Sequence, residues 1–279
     1  MLLRMSFIQV NRVLYNAVER GLARRTNIGE VRHICMDEKS FKHGHEYVTV
    51  LSSPDTGAVL NVSHGRKIES AKKVINDTFT QEQKQQIQTA STDMLPAYIR
   101  TVKEDLPGTK LCHDRFHLVK YLNEAVDMVR RKETKTQEEL RHSRYIWLKD
   151  QANLTEKQRL KFEAINNVNY ETARAWRIKE NFRDITFNQA PQEAFILFTR
   201  WCRDALNSQI PFIIRVAEMF DRHMVGIVNA MALNKGNAMA ERLNGKIQEI
   251  KVSAKGYRTF ENFRSAILFY HGKLYLYPQ

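Results

Sequence analysis

The chain has 279 residues, of which 43% are hydrophobic and 10% aromatic, enough for one large core or two modest ones and too much for a disordered protein. Its 44 Lys and Arg outnumber 31 Asp and Glu, giving a net charge of +13 and a pI near 9.7, which favours a polyanionic partner, nucleic acid first. Cys35, Cys112 and Cys202 are odd in number and far apart, no apolar run approaches the roughly 20 residues of a membrane span, and "MLLRMSFIQV" lacks a signal cleavage site, so a soluble intracellular protein is expected.

In chain order, "SFIQVNRVLYNAVERGLARR" (6–25) predicts a helix, with Ser6 as its cap and Val10, Val13, Leu14 and Val18 at helical spacing. From Val31 the period shortens. "VRHICM", "YVTVLS" and "AVLNVS" predict strands, the last two joined into a hairpin by the turn "SPDTG". A helix is expected over 69–87, then a strand at "IQTAST", a helix opened by Pro96 and closed before Pro107, and a strand at "TKLCHD". This order predicts an α/β fold with a mixed sheet. Residues 117–225 turn helical and charged and carry Trp147, Trp176 and Trp201, read as core anchors rather than stacking platforms. From Asn237 a capped helix "NAMAERLNGKIQEIK" begins, followed by a final helix.

Three carboxylates stand where a strand end or a helix face could present them. Asp37 closes the apolar run of "HICMDEKSF", Asp93 follows "IQTAST", and Glu241 sits on the capped helix. On that helix Met239, Leu243, Ile247 and Ile250 form an apolar stripe, with Asn237, Glu241, Asn244 and Gln248 on the other side. Each acid also has an ordinary reading: a turn cap for Asp37, a helix cap for Asp93, a solvated helix residue for Glu241. Together they are more telling, because close carboxylates repel unless a cation compensates them. Hard oxygen ligands select Mg²⁺ or Mn²⁺, and a pair of such ions about 3.5–4 Å apart can drive phosphodiester chemistry.

The order strand–Asp37, hairpin, helix, strand–Asp93 and later helix–Glu241 resembles the ribonuclease-H-like DDE transposases. "MDEKSFKHGHEYVTVLSSPDTGAVL", "TDMLPAYIRTVKEDLPGTKLCHDRFHLVKYLNEAVDMVRR" and "GNAMAERLNGKIQEIKVSAKGYRTFENFRSAIL" resemble the catalytic region of bacterial insertion-sequence transposases of the ISL-three type. The resemblance implies a ribonuclease-H-like mixed sheet flanked by helices and interrupted by a mostly α-helical insertion. It divides the chain into a remnant of an N-terminal helical DNA-binding region (1–28), the first part of the catalytic domain (29–130), the insertion (131–225) and the helices that complete the catalytic domain (226–279). Members of this type carry a zinc-ribbon-like segment and helix-turn-helix elements upstream, so the chain resembles an N-terminally incomplete transposase.

Carried over residue by residue, Asp37, Asp93 and Glu241 match the acidic triad and would hold two Mg²⁺ or Mn²⁺ ions. Glu38 faces the other way along its strand and is expected to support the site. Asp114 and His117 in "CHDRFHLVK" resemble an Asp-x-x-His signature; they would either orient the scissile phosphate or pin the strand-to-helix junction. A zinc site from Cys112, His113 and His117 is disfavoured because no second ligand pair lies nearby. Lys39, Lys42, Arg115, Lys235, Arg242, Lys246, Lys251, Lys255 and Arg258 flank the acids as a track for DNA phosphates. The implied activity is cleavage at insertion-sequence ends and strand transfer into target DNA, by a homodimer or larger assembly in a bacterial cytoplasm, at the nucleoid. No nucleotide cofactor, other small-molecule cofactor or membrane is implied. Two rivals stand beside it: a ribonuclease-H-like nuclease or resolvase that cuts without joining, and an inactive DNA-binding remnant.

Overall fold

The structure is a computed structural model that describes residues 5–25, 27–42, 44, 46–149, 153–166, 168–185, 190–233 and 238–278, with backbone only at 27, 29, 238, 240 and 241. The elements run α1 (Phe7–Ala23), β1 (His33–Lys42), β2 (Glu46–Ser53), β3 (Ala58–His64), α2 (Ile68–Asn76), α3 (Gln81–Gln85), β4 (Thr89–Thr92), α4 (Pro96–Asp105), β5 (Lys110–His113), α5 (Arg115–Glu133), α6 (Arg144–Leu148), α7 (Glu156–Asn166), α8 (Glu171–Asp184), α9 (Pro191–Leu206), α10 (Pro211–Arg222), α11 (Met224–Leu233), α12 (Ala238–Ser253) and α13 (Phe260–His271). They divide into two compact units, residues 1–112 with 235–279, and residues 113–234. The second unit reaches further at both ends than the helical stretch 131–225 marked out by sequence.

In the first unit the strands form one sheet in the order β3-β2-β1-β4-β5. β1 pairs antiparallel with β2 and parallel with β4, the mixed arrangement expected from the sequence. Alternation along the strands sorts the side chains. Ile34, Met36 and Leu51 enter one core with Val74, Ile75, Tyr98 and Val102 of α2 and α4. Val48, Val50, Val59 and Val62 enter the other with Val18, Leu243, Ile247, Phe263 and Ile267 of α1, α12 and α13. Both faces are therefore covered, and the apolar stripe of α12 lies on the sheet.

Two expectations need correction. The helix over 69–87 is broken: α2 stops at Asn76 and α3 starts at Gln81. The hydroxyl of Thr78 returns to the Val74 carbonyl, and Thr80 forms a capping box with Gln83, so local side chains take over the backbone groups a continuous helix would use. Asp37 is also not at a strand tip. β1 continues five residues past it to Lys42, because the hairpin partner β2 carries on where β4 has stopped. The cap expected at Asn237 lies outside the described residues.

The second unit buries all three tryptophans. Trp147 packs edge-on to Phe162 and Trp176, and Trp201 packs against Phe182, Phe198 and Phe220. Lys179 is fully buried, its ammonium donating to the Trp147 carbonyl at 2.7 Å and paired with Glu180 at 2.8 Å. The Glu133 carboxylate at the end of α5 accepts from the Glu171 and Thr172 amides and so caps α8.

Candidate active site

The parallel ladder ends at Met36 opposite Thr92, so the next residues in register are Asp37 and Asp93. Both acids thus directly follow the last pair of the ladder, where β4 gives way to the turn before α4. Asp93 Oδ1 accepts from the Leu95 amide at 3.0 Å, so this acid also shapes the turn. Asp37 is only 15% exposed at its side chain, and its Oδ1 accepts from the Glu38 amide at 2.7 Å. Its Oδ2 accepts from Asn244 Nδ2 at 2.5 Å and faces Lys39 Nζ at 3.4 Å.

Asn244 brings α12 to the acids. Seven residues further along that helix Lys251 donates to the Ser40 carbonyl at 2.8 Å, and Ser40 lies three residues past Asp37. Seven helical residues and three strand residues both span about 10 Å, so the flank of α12 runs alongside β1 in the same direction. Gly256, at φ +94°, ends the helix by donating to the Lys251 carbonyl, a glycine-dependent terminus. Glu241 is one turn before Asn244 on this helix; its side chain lies outside the described residues, as does Lys235.

Glu38 occupies the opposite face. It pairs with Arg66 at 3.0 Å, and the Arg66 guanidinium lies over the Tyr47 ring. Beneath it Tyr98 and Thr49 are 3.0 Å apart; Thr49 Oγ1 donates to the Gly65 carbonyl, so the phenol donates to Thr49. Burial pushes the Tyr98 hydroxyl well above its ordinary value, against the effect of its hydrogen bond with Thr49, and the charges of Asp93, Glu38 and Asp37 push the same way as burial. Sequence reading passed over Tyr98 and Arg66; the signal was present in Tyr98, five residues after Asp93 on the inner face of α4.

Asp114 and His117 open the second unit. Asp114 caps α5 by accepting from the Phe116 amide at 2.9 Å, and its other oxygen is 3.2 Å from His117 Nδ1. The geometry is that of a pair fixing a strand-to-helix junction. Among the basic residues, Lys42 pairs with Glu46 at 3.8 Å and its ammonium lies over Phe41, Arg115 donates to the Arg183 carbonyl, and Arg242 lies against Met239. Lys246, Lys255 and Arg258 are exposed. Lys42, Lys251 and Lys255 line one groove of about 550 Å³ together with Ser40, Phe41 and Tyr257.

Among the described residues no cluster of three His, Cys, Asp or Glu side chains is arranged to hold a metal. Asp37 and Asp93 nonetheless offer two carboxylates in adjacent register, with an amide and an ammonium already gathered at one of them. This all-oxygen donor chemistry fits a hard divalent cation and not zinc.

Residues 34–267 match the model of a family described as transposase, of the DDE, ISL3 type. The chain is 25% identical over 252 residues to the transposase for insertion sequence element IS1001 of Bordetella parapertussis, covering 88% of this chain and 62% of that one. It is 26% identical over 269 residues to the transposase for insertion sequence element IS1557 of Mycobacterium tuberculosis, covering 86% and 60%. It therefore spans about three-fifths of the length of these relatives. The Drosophila P element transposase strand transfer complex aligns at 9% identity over 95% of this chain and 85% of that one, with a TM-score of 0.41, a likeness too distant to bear on activity. Among the described residues no helix is long and apolar enough to cross a membrane.

Proposed function

The chain belongs to the ISL3-type DDE transposases, and from that premise we propose that it cuts DNA at insertion-sequence ends and joins the freed 3′-hydroxyl to target DNA, using Asp37, Asp93 and Glu241. What supports this reading is that Asp37 and Asp93 each follow a residue of the ladder's last pair, Met36 and Thr92, and that Asn244 of α12 donates to Asp37. Glu241, one turn before Asn244, completes the set.

Divalent ions bound there, two in number, would activate water or a hydroxyl and stabilise the leaving oxygen of an in-line displacement. The chain's own groups do the positioning. Asn244 and Lys39 orient one oxygen of Asp37, and the Leu95 amide orients one of Asp93. Lys39 also offsets negative charge that would otherwise keep a phosphate away from the acids. Lys42, Lys251 and Lys255 hold the DNA backbone along the continuation of β1. Asp114 and His117 support the α5 junction. In this scheme residues 29–130 and 226–279 build the catalytic domain, 131–225 form the insertion, and 1–28 belong to an N-terminal helical DNA-binding region. Holding two element ends together calls for a homodimer or larger assembly on DNA, in the bacterial cytoplasm.

A strand-transfer assay with a pre-cleaved element end tests the reading. Joined product in Mg²⁺ or Mn²⁺, abolished by Asp93→Asn, is expected. Cleavage without joining would leave a nuclease or resolvase; binding without either reaction would leave a DNA-binding remnant.

A further inference from the structure

In the second unit one buried carboxylate gathers three guanidinium groups. Asp127, on the inner face of α5, has a side chain only 8% exposed. Its Oδ1 accepts from Arg130 Nε at 3.0 Å and Nη2 at 2.8 Å, and Arg130 is itself 11% exposed. That doubly bonded pair already neutralises the acid. Asp127 Oδ2 then meets Arg131 Nε at 2.9 Å and Arg144 Nε, from α6, at 3.4 Å. Their side chains are 57% and 49% exposed.

The charge does not balance within the cluster. One carboxylate faces three cations, so two positive charges remain, brought together on a single oxygen at the surface. Both arms engage Asp127 through Nε, which leaves the four terminal N–H donors of each guanidinium outside that contact. The exposed Tyr145 ring lies 5.7 Å from the Arg144 guanidinium. A staple between α5 and α6 needs only one arginine; a second, equally exposed one on the same oxygen adds repulsion that an anion relieves.

The geometry points to a phosphodiester clamp, with Arg131 and Arg144 pre-set by Asp127 to hold the DNA backbone through the helical unit. The choice of DNA as the ligand rests on the transposase reading. Arg130 still pairs with Asp127 when either half-exposed outer arginine is removed, so Arg131→Gln and Arg144→Gln should fold normally. Each removes one phosphate contact, worth about 0.9 in the slope of log K against log[salt] on duplex DNA.

The experiment measures that slope for the full chain on an element-end duplex, with metal-dependent nicking of the same duplex followed in parallel. The double variant should lose about 1.8 of slope, while Arg203→Gln, which removes an exposed charge from α9, should leave it unchanged. An unchanged slope in the double variant, or an equal loss per charge in Arg203→Gln, would overturn the clamp. Nicking with an unchanged slope removes the clamp alone. A slope that falls as expected on a chain that never nicks keeps the clamp and removes the transposase reading.

Discussion

Asp37 is restrained through both oxygens by groups from its own strand and from α12. A carboxylate so fixed loses little freedom on meeting a cation, whereas one on a mobile side chain must first be ordered. Asn244→Ala removes the contact across elements without touching a proposed ligand. It should slow cleavage roughly tenfold to a hundredfold, as loss of a ligand's supporting hydrogen bond does, and weaken Mn²⁺ affinity in step. Single-turnover cleavage and metal titration check this; unchanged values for both would place Asn244 outside the site. Tyr98→Phe addresses the other face. Its hydroxyl donates to Thr49, so the variant should lose about 1 kcal/mol of stability in denaturant melts while keeping its metal dependence.

α12 joins stability to chemistry, since Leu243 and Ile247 are buried on the sheet while Asn244 and Lys251 reach β1. Leu243→Ala should cost about 2–5 kcal/mol by cavity formation, and cleavage should fall with it because the same helix carries Glu241. At α1 the constraint is close approach: a Cβ on Gly21 would sit 2.7 Å from Leu274 Cβ, so Gly21→Ala should cost about 1–3 kcal/mol, read by thermal melts. The elements were largely legible from the chain. The Ser6 cap, the "SPDTG" hairpin and Pro96 each act through neighbours a few residues away, which sequence displays directly. What escaped was non-local or competitive. The break at Thr78–Thr80 is a contest between side-chain and backbone hydrogen bonds. The extension of β1 past Asp37 depends on β2 outlasting β4, a difference in partner length with no local mark. Asp37 and Asp93 could be singled out as acids after apolar runs, but that both follow the same pair of the ladder needed the register. Asn244 was visible on the right stripe of its helix, and nothing in the sequence said it would reach residue 37.

Taken whole, the molecule is a strongly basic chain built as two units, and each presents positive charge beside a carboxylate. In the first unit the carboxylates dominate and suit a cation; in the second the guanidiniums dominate and suit a phosphate. The thiols belong to the interior. Burial pushes Cys112 up to about 12 and Cys202 to about 11, so at pH 8 neither should react with a maleimide until the chain unfolds. The folded state keeps these protons where the unfolded state gives them up. Their contribution to stability is thus fully present below the ordinary thiol value of 9.0 and is lost as pH rises above it. Melts at pH 8 and pH 10 should show that fall, and it should shrink in Cys112→Ser.

The most direct test of the account is a Mn²⁺ titration followed by electron paramagnetic resonance on the chain bound to a pre-cleaved element end, with Asp37→Asn, Asp93→Asn and Glu241→Gln alongside. Two protein-dependent ions are expected, each variant losing at least one of them together with strand transfer. Equal Mn²⁺ binding in all four proteins would contradict the triad and with it the catalytic reading of the fold.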